Sequence, residues 1–160
     1  MRNSTVRRVV DWFKVYQGCA SEKNEKLTSL YGKLIEEEMA ECRAAFAEGN
    51  VVEIYDAVGD IVWVCLGYLY YANMIDEDEL QDGRGKFEIG ISHAFKTISF
   101  LEDLVGGDTL DKIINVIADS NFTKSKSVQT EGEKAWKIIK WDKYEEPRIA
   151  ELIVSLQDWV

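Results

Sequence analysis

Two carboxylate clusters, Glu37, Glu38 and Glu41 and then Glu53, Asp56 and Asp60, are the residues of this 160-residue chain whose types and spacing best suit chemistry. On a helix the first three fall within about a third of the circumference, and Glu38 and Glu41 continue the line of Leu34 and Ala45. Glu53, Asp56 and Asp60 are neighbours by the same rule, and their line runs on into Trp63, Gly67 and Tyr70. Acids thus stand twice where an apolar stripe belongs. Carboxylate oxygens are hard ligands, and a site built from them without His or Cys suits magnesium or manganese better than zinc. Solvated faces of two surface helices would carry the same acids, because runs of charge usually face water.

The elements that must position these acids are two apolar-patterned stretches, 26–47 and 51–73, joined at Gly49-Asn50. That pattern predicts an antiparallel helix hairpin, which brings both clusters to one level. Residues 61–72 contain no charged or strongly polar side chain and predict a helix buried on all sides, with Asp60 at its entrance. It is too short to cross a bilayer, which takes about 20 residues. A single subunit of this size has few ways to cover such a helix, so a homodimer or homotetramer is expected.

Length and a hydrophobic content of 46% suit one domain over 1–160. A formal charge of −10 argues against nucleic acid and anionic membrane as partners, since both call for a basic surface. The charge is uneven: residues 1–120 carry 12 basic and 22 acidic side chains, residues 121–148 carry 7 and 5, so the one net-positive stretch lies late in the chain. Cys19, Cys42 and Cys65 are odd in number and widely spaced, which reads as free core thiols in a reducing compartment, and the N-terminus lacks the zones of a signal peptide. A cytoplasmic protein is expected.

With Pro147 the only proline, helix is the base case throughout. Ser4 or Thr5 is expected to cap a first helix that carries Val6, Val9, Val10 and Phe13 at helical spacing and ends near Gly18. Residues 76–86 read as an exposed polar loop whose spacing fails as a calcium loop, because Leu80 stands where a ligand belongs. Helices over 87–104 and 110–118 follow, then an irregular, hairpin or extended tail over 125–144, and a short amphipathic helix over 148–158. His93, the only histidine, reads as a surface or structural residue. There is no phosphate-binding glycine loop, no dinucleotide fingerprint and no Ser-His-Asp or Cys-His set.

Glu37-Glu38-Met39-Ala40-Glu41 resembles the EExxE motif, and Asp56-Ala57-Val58-Gly59-Asp60 the second acidic motif, of the MazG-like all-α nucleoside triphosphate pyrophosphohydrolases. Further on, Ser120-Asn121-Phe122-Thr123-Lys124, Lys137-Ile138-Ile139-Lys140 and Tyr144-Glu145-Glu146-Pro147 are similar to the SNxxK and K-x-Y-x-P tail of the phage and bacterial members. Many members have ExxD in the second motif, whereas here Ala57 stands three before Asp60 and Asp56 one place earlier. The resemblance implies an all-α helical bundle built on the hairpin, with residues 77–108 as an insertion. It implies magnesium-dependent hydrolysis of ribo- or deoxynucleoside triphosphates to the monophosphate and pyrophosphate, in nucleotide-pool control or house-cleaning. Glu38, Glu41 and Asp60 would be metal ligands with Asp56 the fourth, and Glu37 would orient or deprotonate water. Lys124 would meet a phosphate, Asn121 the sugar or base, and Phe13 and Tyr16, or Trp63, would offer a stacking face. The competing expectation is a non-enzymatic all-α oligomeric interaction module, in which the apolar helix is an interface and the acids give solubility.

Overall fold

The turn at Gly49-Asn50 sets the architecture, because it ends one long helix and starts the next with no residue to spare. The computed structural model describes residues 1–21, 23–126 and 137–157, and among these seven helices and no strand occur. They are α1 (Asn3–Tyr16), α2 (Glu25–Glu48), α3 (Val51–Tyr71), α4 (Glu77–Leu80), α5 (His93–Val105), α6 (Gly107–Asn121) and α7 (Ile149–Gln157). Asn24 caps α2 by accepting from the Leu27 N–H, and α2 ends at Gly49, whose φ of 68° is left-handed and suits a residue without Cβ. Asn50 then caps α3 by accepting from the Glu53 N–H at 3.3 Å. The expected all-α bundle on an antiparallel hairpin is what forms.

Helix α3 is the axis of the bundle. It packs against α1, α2, α5, α6 and α7, and every residue from Ile61 to Gly67 is buried, as are Leu69, Tyr70 and Tyr71. This corrects the argument that an oligomer is needed to cover it. The chain covers α3 itself, with α5 from the 77–108 stretch lying directly on it and α6 alongside. At the far end from the hairpin turn, Phe13, Tyr31, Tyr70 and Tyr71 form an aromatic cluster, with Tyr31 stacked on Tyr71 and the Tyr71 hydroxyl donating to the Gly18 carbonyl at 2.9 Å.

Other boundaries differ for tertiary reasons. Helix α1 starts at Asn3, so Ser4 and Thr5 lie inside its first turn and neither caps it. The donors left over there are taken up from a distance: Arg2 N–H by Asp111 at 2.9 Å and Asn3 N–H by the Gly85 carbonyl at 3.0 Å. The 76–86 stretch is not wholly exposed, because α4 drives Leu80 into the core. Helix α5 begins at His93, six residues late, since Phe87 N–H is drawn to the Met1 carbonyl and Lys86 bridges Arg2. Cys42 and Cys65 are buried free thiols, whereas Cys19 is exposed, against expectation. Among the described residues no helix is long and apolar enough to cross a membrane. Of the expected 125–144 tail, 127–136 lies outside the described residues; 137–148 is irregular and leads into α7.

Close approach of α2 and α3 depends on Gly67, where an added Cβ would lie 2.5 Å from the Tyr31 ring. Gly67→Ala is expected to destabilise by about 1–3 kcal/mol through overpacking. Gly32→Ala, on α2, where an added Cβ would meet only the Tyr68 ring at an ordinary contact distance of 4.0 Å, should instead stabilise by about 0.5–1 kcal/mol through helix propensity. Thermal melts of the two variants must move in opposite directions.

Candidate functional site

Beside the α2–α3 hairpin lies a pocket whose one wall is acidic. Glu38 from α2 and Asp56 and Asp60 from α3 line it. They gather because i+4 spacing stacks Asp56 and Asp60 on the face of α3 that also carries Trp63, and the antiparallel turn sets Glu38 opposite. The second wall comes from far along the chain: Asn121 and Lys124 at the end of α6, then Lys137, Lys140, Tyr144, Glu146 and Pro147 from the irregular segment, Glu146 adding a carboxylate to the lysines.

Two donors from α1 fix the end of α6. Trp12 Nε1 donates to the Asn121 carbonyl at 2.9 Å and the Tyr16 hydroxyl to the Phe122 carbonyl at 2.8 Å, satisfying carbonyls that a helix end leaves over. Lys124 is thereby aimed back into the pocket, its Nζ 5.9 Å from the centre of the Trp12 ring and 5.9 Å from that of Tyr144. The 137–147 segment is tied down by the hydroxyls of α6 and its extension. Ser120 Oγ donates to the Glu145 carbonyl at 2.6 Å, Thr123 Oγ1 accepts from Glu145 N–H at 2.8 Å, and Trp141 Nε1 donates to the Thr123 carbonyl at 2.6 Å.

Electrostatics mark the acidic wall as unsatisfied. Burial, then the charge of Glu41, pushes the Glu38 carboxyl up from 4.5 to about 7. Burial, then Glu53, raises Asp56 to about 6. Asp60 is raised well above its ordinary range by burial first, then by Asp56 and Glu38; it shows part of its surface to the pocket but is closely packed round. Lys124 is lowered to about 8 by burial, against the pull of Asp60. One buried oxygen each of Glu38 and Asp56, Oε2 and Oδ1, has no hydrogen-bond partner.

Those two orphan oxygens and the all-oxygen donor set fit a hard divalent cation. Among the described residues no three acidic, histidine or cysteine side chains yet converge on one point, so a cation would draw the carboxylates together. Glu41 is exposed at the rim and Glu37 half-buried beside Glu38; neither lines the pocket, though the charges of both raise Glu38.

The stacking face expected of Phe13 and Tyr16 is corrected. Phe13 is wholly buried among aromatic rings, and Tyr16 is buried, stacked on Trp12 and committed to Phe122. Trp63, the other candidate, does line the pocket, and so does Trp12, which sequence reasoning missed. Trp12 stands four residues before Tyr16 and so shares its face, a signal that was available. Gln17, whose side chain accepts from the Tyr31 hydroxyl, was missed as well and carries no such signal.

The raised Glu38 carboxyl fixes a sign. Its folded value of about 7 lies above its ordinary 4.5, so the folded state holds that proton more tightly. The associated stability is complete below 4.5 and is lost as pH rises through about 7. In chelator, the melting temperature is therefore expected to fall between those values. Glu38→Gln should raise it at pH 8 by several degrees, about 1–2 kcal/mol after discounting for partial exposure, and leave it nearly unchanged in acid. Equal pH profiles for parent and variant in scanning calorimetry would contradict the assignment.

Residues 17–82, less than half of the chain, match the family model of phosphoribosyl-ATP pyrophosphohydrolase. The matched stretch takes in the whole α2–α3 hairpin with its acids and stops before α5 and α6. No curated protein and no solved structure matches. The family match supports the broad superfamily of MazG-like all-α pyrophosphohydrolases, hydrolases acting on phosphoric anhydrides, without singling out the MazG type.

Proposed function

We propose that this chain is a magnesium-dependent nucleoside triphosphate pyrophosphohydrolase, cleaving between the α and β phosphates to release pyrophosphate. The observation that carries the reading is one pocket with Glu38, Asp56 and Asp60 on one wall and Lys124, Lys137 and Lys140, beside Glu146, on the other. Acids alone would suit a cation and lysines alone an anion. Both together suit a metal–polyphosphate.

Glu38, Asp56 and Asp60 would hold the metal, with Glu41 near enough to join from the rim. Bound there, magnesium or manganese would neutralise phosphate oxygens and acidify a water. Lys124, backed by the Trp12 and Tyr144 rings, presents a fixed positive charge to a phosphate oxygen. The Asn121 side chain reaches the same space for sugar or base, and Trp12 and Trp63 offer aromatic surface to a base. Glu37, half-buried next to Glu38, would accept a proton from a water at the rim. The family match favours a second reading on the same chemistry, with phosphoribosyl-ATP as the triphosphate.

A panel of ribo- and deoxynucleoside triphosphates and phosphoribosyl-ATP, incubated with magnesium and scored for pyrophosphate release, tests both. Turnover of a simple nucleoside triphosphate supports the first reading, turnover of phosphoribosyl-ATP alone the second, and none on any substrate returns the chain to the interaction module. Within the site, Asp60 is the more desolvated of the two aspartates of α3. Asp60→Asn is expected to abolish release at any magnesium concentration, whereas Asp56→Asn should lose about 10–100-fold and recover in part with more metal. The reverse order would overturn the ligand assignment while leaving the reaction standing.

A further inference from the structure

The pocket changes character along the hairpin. On α2, Tyr31, Leu34 and Glu38 stand at i, i+3 and i+7 and all line it. On α3 the Tyr31 ring packs against Gly67, which stands at i+7 from Asp60. Helical rise therefore sets Tyr31 about 10 Å from the carboxylates along either helix. Between the two ends the hairpin gives the pocket apolar side chains, Leu34, Trp63 and Val64, and beside Tyr31 the residue that closes α1 brings in an amide, that of Gln17.

Which way that amide faces follows from Tyr31. The Tyr31 ring is buried, stacked on Tyr71 and set edge-on to Phe13, which fixes where its hydroxyl stands. Burial pushes the phenol well above its usual range, so it keeps its proton. A buried hydroxyl proton needs an acceptor, and Gln17 Oε1 takes it. Turning the amide round would set its nitrogen against the hydroxyl and leave that proton without an acceptor. Gln17 is thus held in one sense, oxygen towards Tyr31, and the nitrogen with its two hydrogens is what the side chain offers a ligand.

We propose that Gln17 reads the base of the substrate and that Tyr31 positions it as a hydrogen-bond donor, so that bases with a carbonyl at position 4 of a pyrimidine or 6 of a purine are preferred over those with an amino group there. The inference rests on the nucleotide pyrophosphohydrolase reading of the site and adds to it the class of base. With the phosphates at the charged end, the base lies along Leu34, Trp63 and Val64 and its edge meets Gln17. A carbonyl at that edge accepts from the Gln17 amide nitrogen. An amino group sets donor against donor, and neither is satisfied once water is excluded.

The test uses the whole chain and pairs nucleotides that differ at that position: uridine with cytidine triphosphate, and inosine with adenosine triphosphate, each with magnesium and scored for pyrophosphate release. In the parent, kcat/KM is expected to favour the carbonyl member of each pair by at least about 10-fold. Tyr31→Phe keeps the ring and frees the Gln17 oxygen, so the amide turns either way; the amino members should gain, and both ratios should fall to within about 3-fold of one. Gln17→Leu, which removes the amide, should lose the preference as well. A merely structural role for Tyr31 would lower both members of a pair together and leave the ratio where it was. That result, or parent ratios near one or reversed, overturns the proposal. Calorimetry with the uncleavable α,β-methylene analogues reads the same ratios without turnover. An inactive panel with these binding ratios intact tells against the reaction and supports the base reading, whereas turnover with flat ratios tells against the base reading alone. Turnover of phosphoribosyl-ATP alone, an adenine nucleotide, or no binding of any analogue overturns it.

Discussion

The structure depends on one costly placement, a carboxylate at the mouth of an entirely apolar helix. Asp60 precedes the buried run of α3, and that helix is enclosed by α1, α2, α5 and α6. An isolated buried charge costs several kcal/mol even after relaxation, so the surroundings must supply counter-charge or keep the proton on. Here they do some of each: the carboxyls of Glu38, Asp56 and Asp60 are all raised, and Lys124 is itself pulled down towards neutrality. A fold selected only for stability has better uses for those positions. Strain of this kind, concentrated in one pocket, is what a site kept for a charged ligand looks like.

The part of this that sequence reading reached is the part governed by local rules. Helical spacing stacks Asp56 and Asp60, Gly49 and Asn50 divide the work of ending and starting a helix, and an uncharged run marks α3 as central. None of these needs knowledge of a distant residue. The errors fall where distance matters. Ser4 and Thr5 look like caps, yet the first turn of α1 is satisfied by Asp111 and Gly85. Phe13 looks like a stacking ring, but it is Trp12 of α1 that lines the pocket, and although Trp12 shares a helix face with Tyr16, which of the rings on α1 meets the pocket depends on where α6 lies.

Cover for α3 is a further case. Composition shows that its apolar surface must be buried but is silent on whether a second copy or a later helix does so. The chain uses α5 and α6, both beyond the stretch that matches the pyrophosphohydrolase family. The 77–108 stretch, read as an insertion, thus contributes packing on the central helix, and Leu80 of α4 and Ile98 and Leu101 of α5 belong to the same core as Val58 and Ile61.

The same division of labour runs through the pocket. Of the charged residues that line the pocket, Glu38, Asp56 and Asp60 fall within the matched residues 17–82, whereas Lys124, Lys137, Lys140 and Glu146 lie beyond them. The wall that carries the lysines needs α1 to fix the end of α6 through Trp12 and Tyr16, and Ser120 and Thr123 to moor the irregular segment. The family match thus covers the acidic wall of the pocket, and the basic wall is built from residues that the match leaves out. Because the irregular segment is moored to α6 by long-range hydrogen bonds, a change at Ser120 or Thr123, neither of which is hydrogen-bonded to Glu38, Asp56 or Asp60, alters where Tyr144 and Glu145 stand while leaving the acidic wall intact.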